Sequence, residues 1–307
     1  MGGNRNQTPL ALRKGGVEHS CAKGQRTADC PIWWDEVKDR PLSASKTACD
    51  FSGKDEIYGW TAPSIACRLR SRPHLLARAL QLEPLDTHLW HATHAFKANG
   101  LPITTRMTVV RLPGRRLLIH SPIPMPPGSA LLRQVQELGS VAFVVAPNKM
   151  HHLFLEPCAA AFPSAVVYGP QGLAQKRPDL AATLRVLPAG DLPQWLPELE
   201  HFAFGGIPAG NESVWFHRPS ATLIVTDLLQ WMAGDLPWPT RAYATLTGVR
   251  SQLAVPLTVR ALVRDRAAAA RSAERVLRWP FARVVLAHNC TIDTDAHAQV
   301  ARALAVF

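Results

Sequence analysis

Paired cysteines are missing from this chain. Its six cysteines include no C-x-x-C pair, and Cys21, Cys30, Cys49 and Cys67 stand in the first quarter at spacings of 9, 19 and 18. Such spacings fit neither a disulfide framework nor a common zinc pattern, so the four are read as unbridged thiols, with an irregular metal knot as the alternative. Long apolar runs are missing too. No stretch approaches the roughly 18 uninterrupted apolar residues of a membrane helix. The opening "MGGNRNQTPLALRKGGVEHSC" has no apolar segment of signal-peptide length, so a cytoplasmic protein is expected and no membrane partner. Acidic residues are scarce, 23 against 34 Lys and Arg, which leaves a formal charge of +11. That imbalance raises the question of nucleic acid. However, the arginines are scattered through "RLPGRR" and "VRALVRDRAAAARSAERVLR", with no regularly spaced stacking aromatics. A solvated arginine-rich surface is the simpler reading, and nucleic acid is not the expected partner. Also absent after any strand are G-x-S-x-G, a P-loop and G-x-G-x-x-G, the signatures of a nucleophile elbow, a phosphate cradle and a dinucleotide site.

What is present divides at a seam near residue 80. Residues 1–82 carry 13 basic and 8 acidic side chains, a net of +5, with little apolar periodicity outside "PIWW" and "APSIACRLRSRPHLLARALQ". Such a stretch buries too little apolar surface to offset its ordering entropy. Residues 1–80 are therefore expected to be a low-order extension, and residues 82–307 a folded domain. Within that domain "LEPLDTHLWHATHAF" and "ITTRMTVVRL" read as strands, followed by 117–119 ending at His120. "GSALLRQVQELG" reads as a helix, "VAFVVAP" as a buried strand, and "LFLEPCAAAF" as a helix. "AVVY", "ELEHFAF", "SVWFHRP" and "ATLIVTDLL" are further strands, and "GLAQKRPDLAATL" is helical in part. Helices are expected over 241–248 and 257–277, then a strand "FARVVLAH" and a C-terminal helix. Strands alternate first with strands and later with helices, which is the pattern of a mixed α/β fold with a large sheet core.

One regularity outweighs any single motif. Apolar strands repeatedly end in a group able to bind metal or move protons: "LLIH" at His120, "VVAPNKMHH" at His151 and His152, "LIVTD" at Asp227, and "VVLAH" at His288. Strands that deliver such groups at their ends build a site at one edge of a sheet. Histidines with a carboxylate suit zinc, and iron or manganese also accept them. A lone histidine at a strand end is more often a hydrogen-bonded core or capping residue, so it is the recurrence that favours a site.

The order strand, histidine-rich loop, helix, "TD" strand end and "H" strand end resembles the metallo-β-lactamase superfamily over residues 82–307. "RMTVVRL…LLIHSP" resembles that family's opening hairpin, with His120 where it usually has Asp. "TLIVTDLL" resembles "LFTGDLL", and "VVLAHN" resembles "ILPGHG". The combination "TRMTVVRL", "SP", "APNK-x-HH", "KRPDL" and "FHRPS-x-TLI-x-TD" is similar to a degenerate branch, the domain-of-unknown-function 4336 family. The resemblance implies a four-layer αββα sandwich with a metal site at one edge of the two sheets. Laid on the family's H-x-H-x-D-H, Pro147 and Lys149 replace the first two histidines, His151 falls on the aspartate and His152 on the last histidine. Ala209 replaces the histidine of a later loop. The first metal site is thereby lost, and His151, His152, Asp227 and His288 remain as implied ligands of a single divalent ion, zinc before iron or manganese, or of none.

The resemblance then implies a hydrolase of a small ester, thioester or phosphoester, with water on the single ion as nucleophile. Four protein ligands close a tetrahedral zinc, whereas catalysis needs an open position. Lys149 either stands in for the lost cation against an anionic substrate or is a solvated loop lysine. Glu212 is either a fifth ligand or general base, or a rim carboxylate at a strand start. His120 is placed near the site as a third catalytic candidate. His217 is expected to bond a turn, Cys158 to sit in the core, and His88, His91 and His94 to lie on a strand or loop. Trp195, Trp215, Trp231, Trp238 and Trp279 either line a pocket or fill the core. The competing reading is a sandwich that has lost catalysis and serves as a binding or structural module.

Overall fold

Leu117, Leu118 and Ile119 are consecutive and all fully buried, yet they serve two different cores. Side chains alternate faces along a strand, so a strand buried on both sides reads as a continuous apolar run. The computed structural model describes residues 80–307. The low-order extension and the four early cysteines expected from the sequence lie outside the described residues.

Twelve strands and seven helices follow in order among those residues. They are β1 Glu83–Asp86, β2 Leu89–Ala98, β3 Leu101–Leu112, β4 Arg116–His120, α1 Ala130–Leu138, β5 Ser140–Val145, α2 Leu155–Ala161, β6 Val166–Gly169, α3 Leu173–Lys176 and β7 Leu184–Val186. The second half comprises β8 Leu199–Ala203, β9 Ser213–His217, β10 Thr222–Val225, α4 Trp238–Leu246, α5 Leu257–Ala261, α6 Arg266–Leu277, β11 Arg283–Leu286, β12 Thr291–Ile292 and α7 Ala296–Leu304. Strands β1 to β7 form one sheet in sequence order, and a second sheet runs β12-β11-β10-β9-β8. The pairs β4–β5, β5–β6 and β6–β7 are parallel, as is β10–β11.

Three apolar layers follow from strand alternation. Met107, Val109, Leu117 and Ile119 pack with Leu131 and Val135 of α1 and with Leu155 and Cys158 of α2. Val110, Leu112, Leu118 and Val145 of the first sheet meet Trp215, Ile224 and Val285 of the second. On the far side Leu223, Val225, Val284 and Leu286 pack against Ala269, Ala273 and Val276 of α6 and Val300 of α7. Helix, sheet, sheet, helix is the four-layer αββα sandwich. A bulge between Leu117 and Leu118 against β5 shifts the alternation there, so Val141 and Val144 share the helix side.

Two expected elements are corrected. The segment read as one strand, "LEPLDTHLWHATHAF", is two, because Asp86 Oδ1 accepts from Thr87 N at 2.7 Å and His88 turns to φ 65°. The helix expected over 257–277 is broken into α5 and α6. Gly206 O accepts from Arg264 N at 2.8 Å and from Asp265 N at 3.3 Å, and the Asp265 side chain caps α6 by accepting from Ala268 N. Gly206 is held at φ +83°, and a Cβ there would lie 2.2 Å from Asp265 O. Gly206→Ala is therefore expected to cost on the order of 3 kcal/mol in urea unfolding, whereas Gly190→Ala, where a Cβ meets nothing within 4 Å, should cost far less. Similar costs for the two would remove Gly206 from this role.

Candidate metal centre

Parallel pairing brings the histidines together. β4 and β5 run side by side, so the segments after them, carrying Ser121 and His151, leave the first sheet at one edge. β10 and β11 do the same for the second sheet with Asp227 and His288. β9 runs antiparallel to β10, so the residue before it, Glu212, arrives beside the end of β10.

At that edge His288 Nε2 lies 3.2 Å from Asp227 Oδ1 and His151 Nε2 lies 3.5 Å from Asp227 Oδ2. The two imidazole rings are 5.1 Å apart. One ligand atom from each of the three residues falls within 4.8 Å of the others. Ligands about 2.0–2.2 Å from a tetrahedral ion sit about 3.3–3.6 Å from one another, so the donor set fits a small divalent cation with little movement. The outer contacts suit that role. His288 Nδ1 donates to Thr104 O at 2.7 Å, which fixes the tautomer and turns Nε2 toward the focus. His151 Nδ1 shares a 2.7 Å hydrogen bond with Ser121 Oγ. Burial opposes the charge on Asp227, yet the flanking His151 and His288 rings hold its carboxyl well below the usual range. Burial works against the His288 cation as well, but its bonds to Asp227 and Thr104 O raise its pKa above the ordinary value.

Asn148 was not picked out by the sequence reading, and it joins the two sheets here. Its Nδ2 lies 2.8 Å from Asp227 Oδ2, 2.9 Å from Thr226 Oγ1 and 3.2 Å from Glu212 Oε2. Its Oδ1 accepts from the backbone N–H of Met150 and His151, both at 2.8 Å. The asparagine in "APNKMHH" was the available signal, since Asx residues close turns on their own backbone.

Three expectations from the sequence change. His152 does not join the other ligands. Its Nδ1 faces Arg177 Nη1 at 3.2 Å and its carbonyl accepts from the same guanidinium at 3.1 Å, because adjacent residues in the turn send their side chains in different directions. Burial, then the charges of Lys176 and Arg177, lower its pKa to about 4. Glu212 stands outside the cluster of ligand atoms, and its oxygens are engaged by backbone donors. It is buried, and accepts from Thr226 N and Asp227 N at 2.8 Å and from Leu228 N at 3.0 Å. Burial and the neighbouring Asp227 push its pKa up, partly offset by those donors. His120 is buried edge-on to Trp215, its rings 5.7 Å apart, and burial lowers its pKa to about 3. It stays a neutral neighbour of His151.

Lys149 Nζ donates to Pro208 O at 3.2 Å and is solvent-accessible. His217 bonds Ser220 Oγ in the β9–β10 turn, and Cys158 is buried in the helix-side core. His91 and His94 lie on β2. Trp195, Trp215 and Trp279 are buried, and Trp238 is exposed.

Residues 87–238 match the family model described as "Domain of unknown function (DUF4336)". Among solved structures, the chain is similar to the DIM-1 metallo-β-lactamase exposed to ceftazidime, at 13% identity and TM-score 0.53, covering 75% of this chain and 98% of that one. It is also similar to a metallo-β-lactamase from Pontibacter korlensis, at 15% and 0.51, covering 74% and 99%. A third is FIM-1 from Pseudomonas aeruginosa in its mono-zinc form, at 10% and 0.51, covering 75% and 96%. At these identities the likeness establishes the fold. A search of curated proteins gives no match.

Proposed function

For this DUF4336 protein with a metallo-β-lactamase-like fold, we propose that His151, Asp227 and His288 hold one divalent metal ion, zinc before iron or manganese, and that the protein hydrolyses a small ester, thioester or phosphoester. The observation that carries this reading is the convergence of the three side chains with their outer hydrogen bonds already oriented. Three ligands, rather than the four expected from the sequence, leave a coordination position open, as in catalytic rather than structural sites. A divalent ion in such a site supplies Lewis acidity, lowering the pKa of water and polarising a carbonyl or phosphoryl oxygen. The chain's own groups do the positioning. Asn148 Nδ2 steadies Asp227 Oδ2, Thr104 O sets the His288 tautomer, and Ser121 Oγ orients His151. Lys149 keeps two of its three N–H groups for an anionic substrate once one is given to Pro208 O. FIM-1 is described in a mono-zinc form, which supports a one-ion reading of this scaffold.

The second reading is a catalytically silent binding or structural module. It is favoured by the pairing of Asp227 with both His151 and His288, which gives each ring a carboxylate partner within the protein. Metal content of untagged protein decides between them at the first step. About one ion per chain is expected, lost in Asp227→Ala and in His288→Ala but kept in His152→Ala. No ion after incubation with zinc, iron(II) or manganese would overturn the metal reading. Loss in His152→Ala equal to that in Asp227→Ala would mean the ligand set is wrong. A screen of ester, thioester and phosphoester substrates with the loaded protein then tests hydrolysis.

A further inference from the structure

We propose that a cavity of about 430 Å³ between α5, α7, Trp231 and the connection from α4 to α5 binds a small organic anion with an apolar body, a carboxylate or a phosphate ester. None of His151, Asp227 and His288 lines it, so this site stands apart from the proposed metal centre and neither depends on the other. Its size falls within the roughly 300–1,000 Å³ of small-molecule sites.

The wall is apolar. Trp231, Leu253 and Val255 line the cavity and are buried members of the core under the second sheet. The rim is cationic. Arg260 of α5 and Arg302 of α7 both line the cavity, and no Asp or Glu does. Arg302 touches Asp295 at 3.2 Å, but both side chains are more than half exposed, and such contacts hold little free energy. Arg260 makes no side-chain hydrogen bond or ion pair among the described residues. Two guanidiniums line one cavity that no carboxylate lines, and an anionic head group can accept charge-assisted, bidentate hydrogen bonds from such groups. Gln299, also in the lining, is buried and spends Nε2 on Thr294 O. Apolar wall and cationic rim together select an anionic amphiphile over a neutral one.

The test titrates the full chain with 8-anilinonaphthalene-1-sulfonate, a fluorescent anion with an apolar body, and competes it with octanoate, octyl phosphate and 1-octanol. Saturable binding at one site per chain is expected, displaced by one or both anions and not by the alcohol at equal concentration. Octanoate alone displacing the probe assigns a carboxylate head, and octyl phosphate alone assigns a phosphate. In Arg260→Ala/Arg302→Ala the affinity should fall by about tenfold or more, about 1.4 kcal/mol. Ser251→Trp, at an exposed residue of the lining, should block the cavity and give a comparable loss. Circular dichroism shows that the variants remain folded. Unchanged affinity in the double arginine variant, equal displacement by 1-octanol, or no binding up to millimolar probe would each overturn the proposal.

Discussion

Replacing Glu212 by alanine should destabilise the domain by about 3–5 kcal/mol, among the largest single-residue effects expected in this fold. The reason is a fixed set of donors. One carboxylate, buried at the start of β9, accepts from three consecutive backbone N–H groups, Thr226, Asp227 and Leu228, just where β10 ends. Those groups have run out of sheet partners, and truncation leaves them buried without acceptors. Glu212→Gln should be intermediate, because the amide keeps the shape but turns one acceptor oxygen into an NH₂ that faces N–H donors. Urea unfolding measures both. The same variants separate an anchoring role from a catalytic one. If Glu212 positions Asp227, metal affinity falls with stability and a substitution distant from the site with equal loss of stability leaves metal bound. A Glu212→Ala protein as stable as the wild type, within about 1 kcal/mol, would show that the three amides find other acceptors.

Glu212 also marks where sequence reading succeeds and where it stops. His120, His151, Asp227 and His288 stood out because each follows a run of buried apolar residues, and a strand that ends abruptly in a titratable group is visible in one dimension. Parallel pairing of β4 with β5 and of β10 with β11 then carries three of those ends to one place. The distinction between His151 and His152 is invisible at that level. Both follow the same turn, and only the backbone path sends one ring to Asp227 and the other to Arg177. Asn148 is likewise legible only through its neighbours, since its side-chain acceptors lie 64 to 79 residues away in sequence. The break between α5 and α6 has the same origin. The periodicity over 257–277 is helical throughout, and a distant carbonyl, Gly206 O, interrupts it.

Acidification should weaken the fold well above the pH at which carboxylates titrate, and the sheet interface explains why. His201 and His217 have no solvent exposure. His201 stacks on Trp215 at 4.4 Å and donates Nε2–H to Pro188 O, while His217 bonds Ser220 Oγ. Burial lowers both pKa values to about 4 from an ordinary 6.5, outweighing the opposing pull of Asp191 on His201 and of Asp86 on His217. Between those values the unfolded chain takes up a proton at each ring and the folded chain does not. The stability from each buried neutral histidine is therefore complete above about pH 6.5 and falls as pH drops toward 4, by up to about 1.4 kcal/mol per pH unit per ring. His288 has the opposite sign. Its raised pKa stabilises the fold below the ordinary histidine value, and that contribution fades as pH rises through the folded value. Urea unfolding at pH 7, 5.5 and 4.5 should show stability falling by at least roughly 2–3 kcal/mol over the series, since His120 and His152, also held neutral by burial, add to these two rings while His288 subtracts. In His201→Phe, which keeps an aromatic ring against Trp215 and has nothing to protonate, the slope should flatten by about one proton's worth, close to 1.4 kcal/mol per pH unit at its steepest. An unchanged slope in that variant would show that His201 is protonated in the folded protein, and that the interface between the two sheets tolerates a charge.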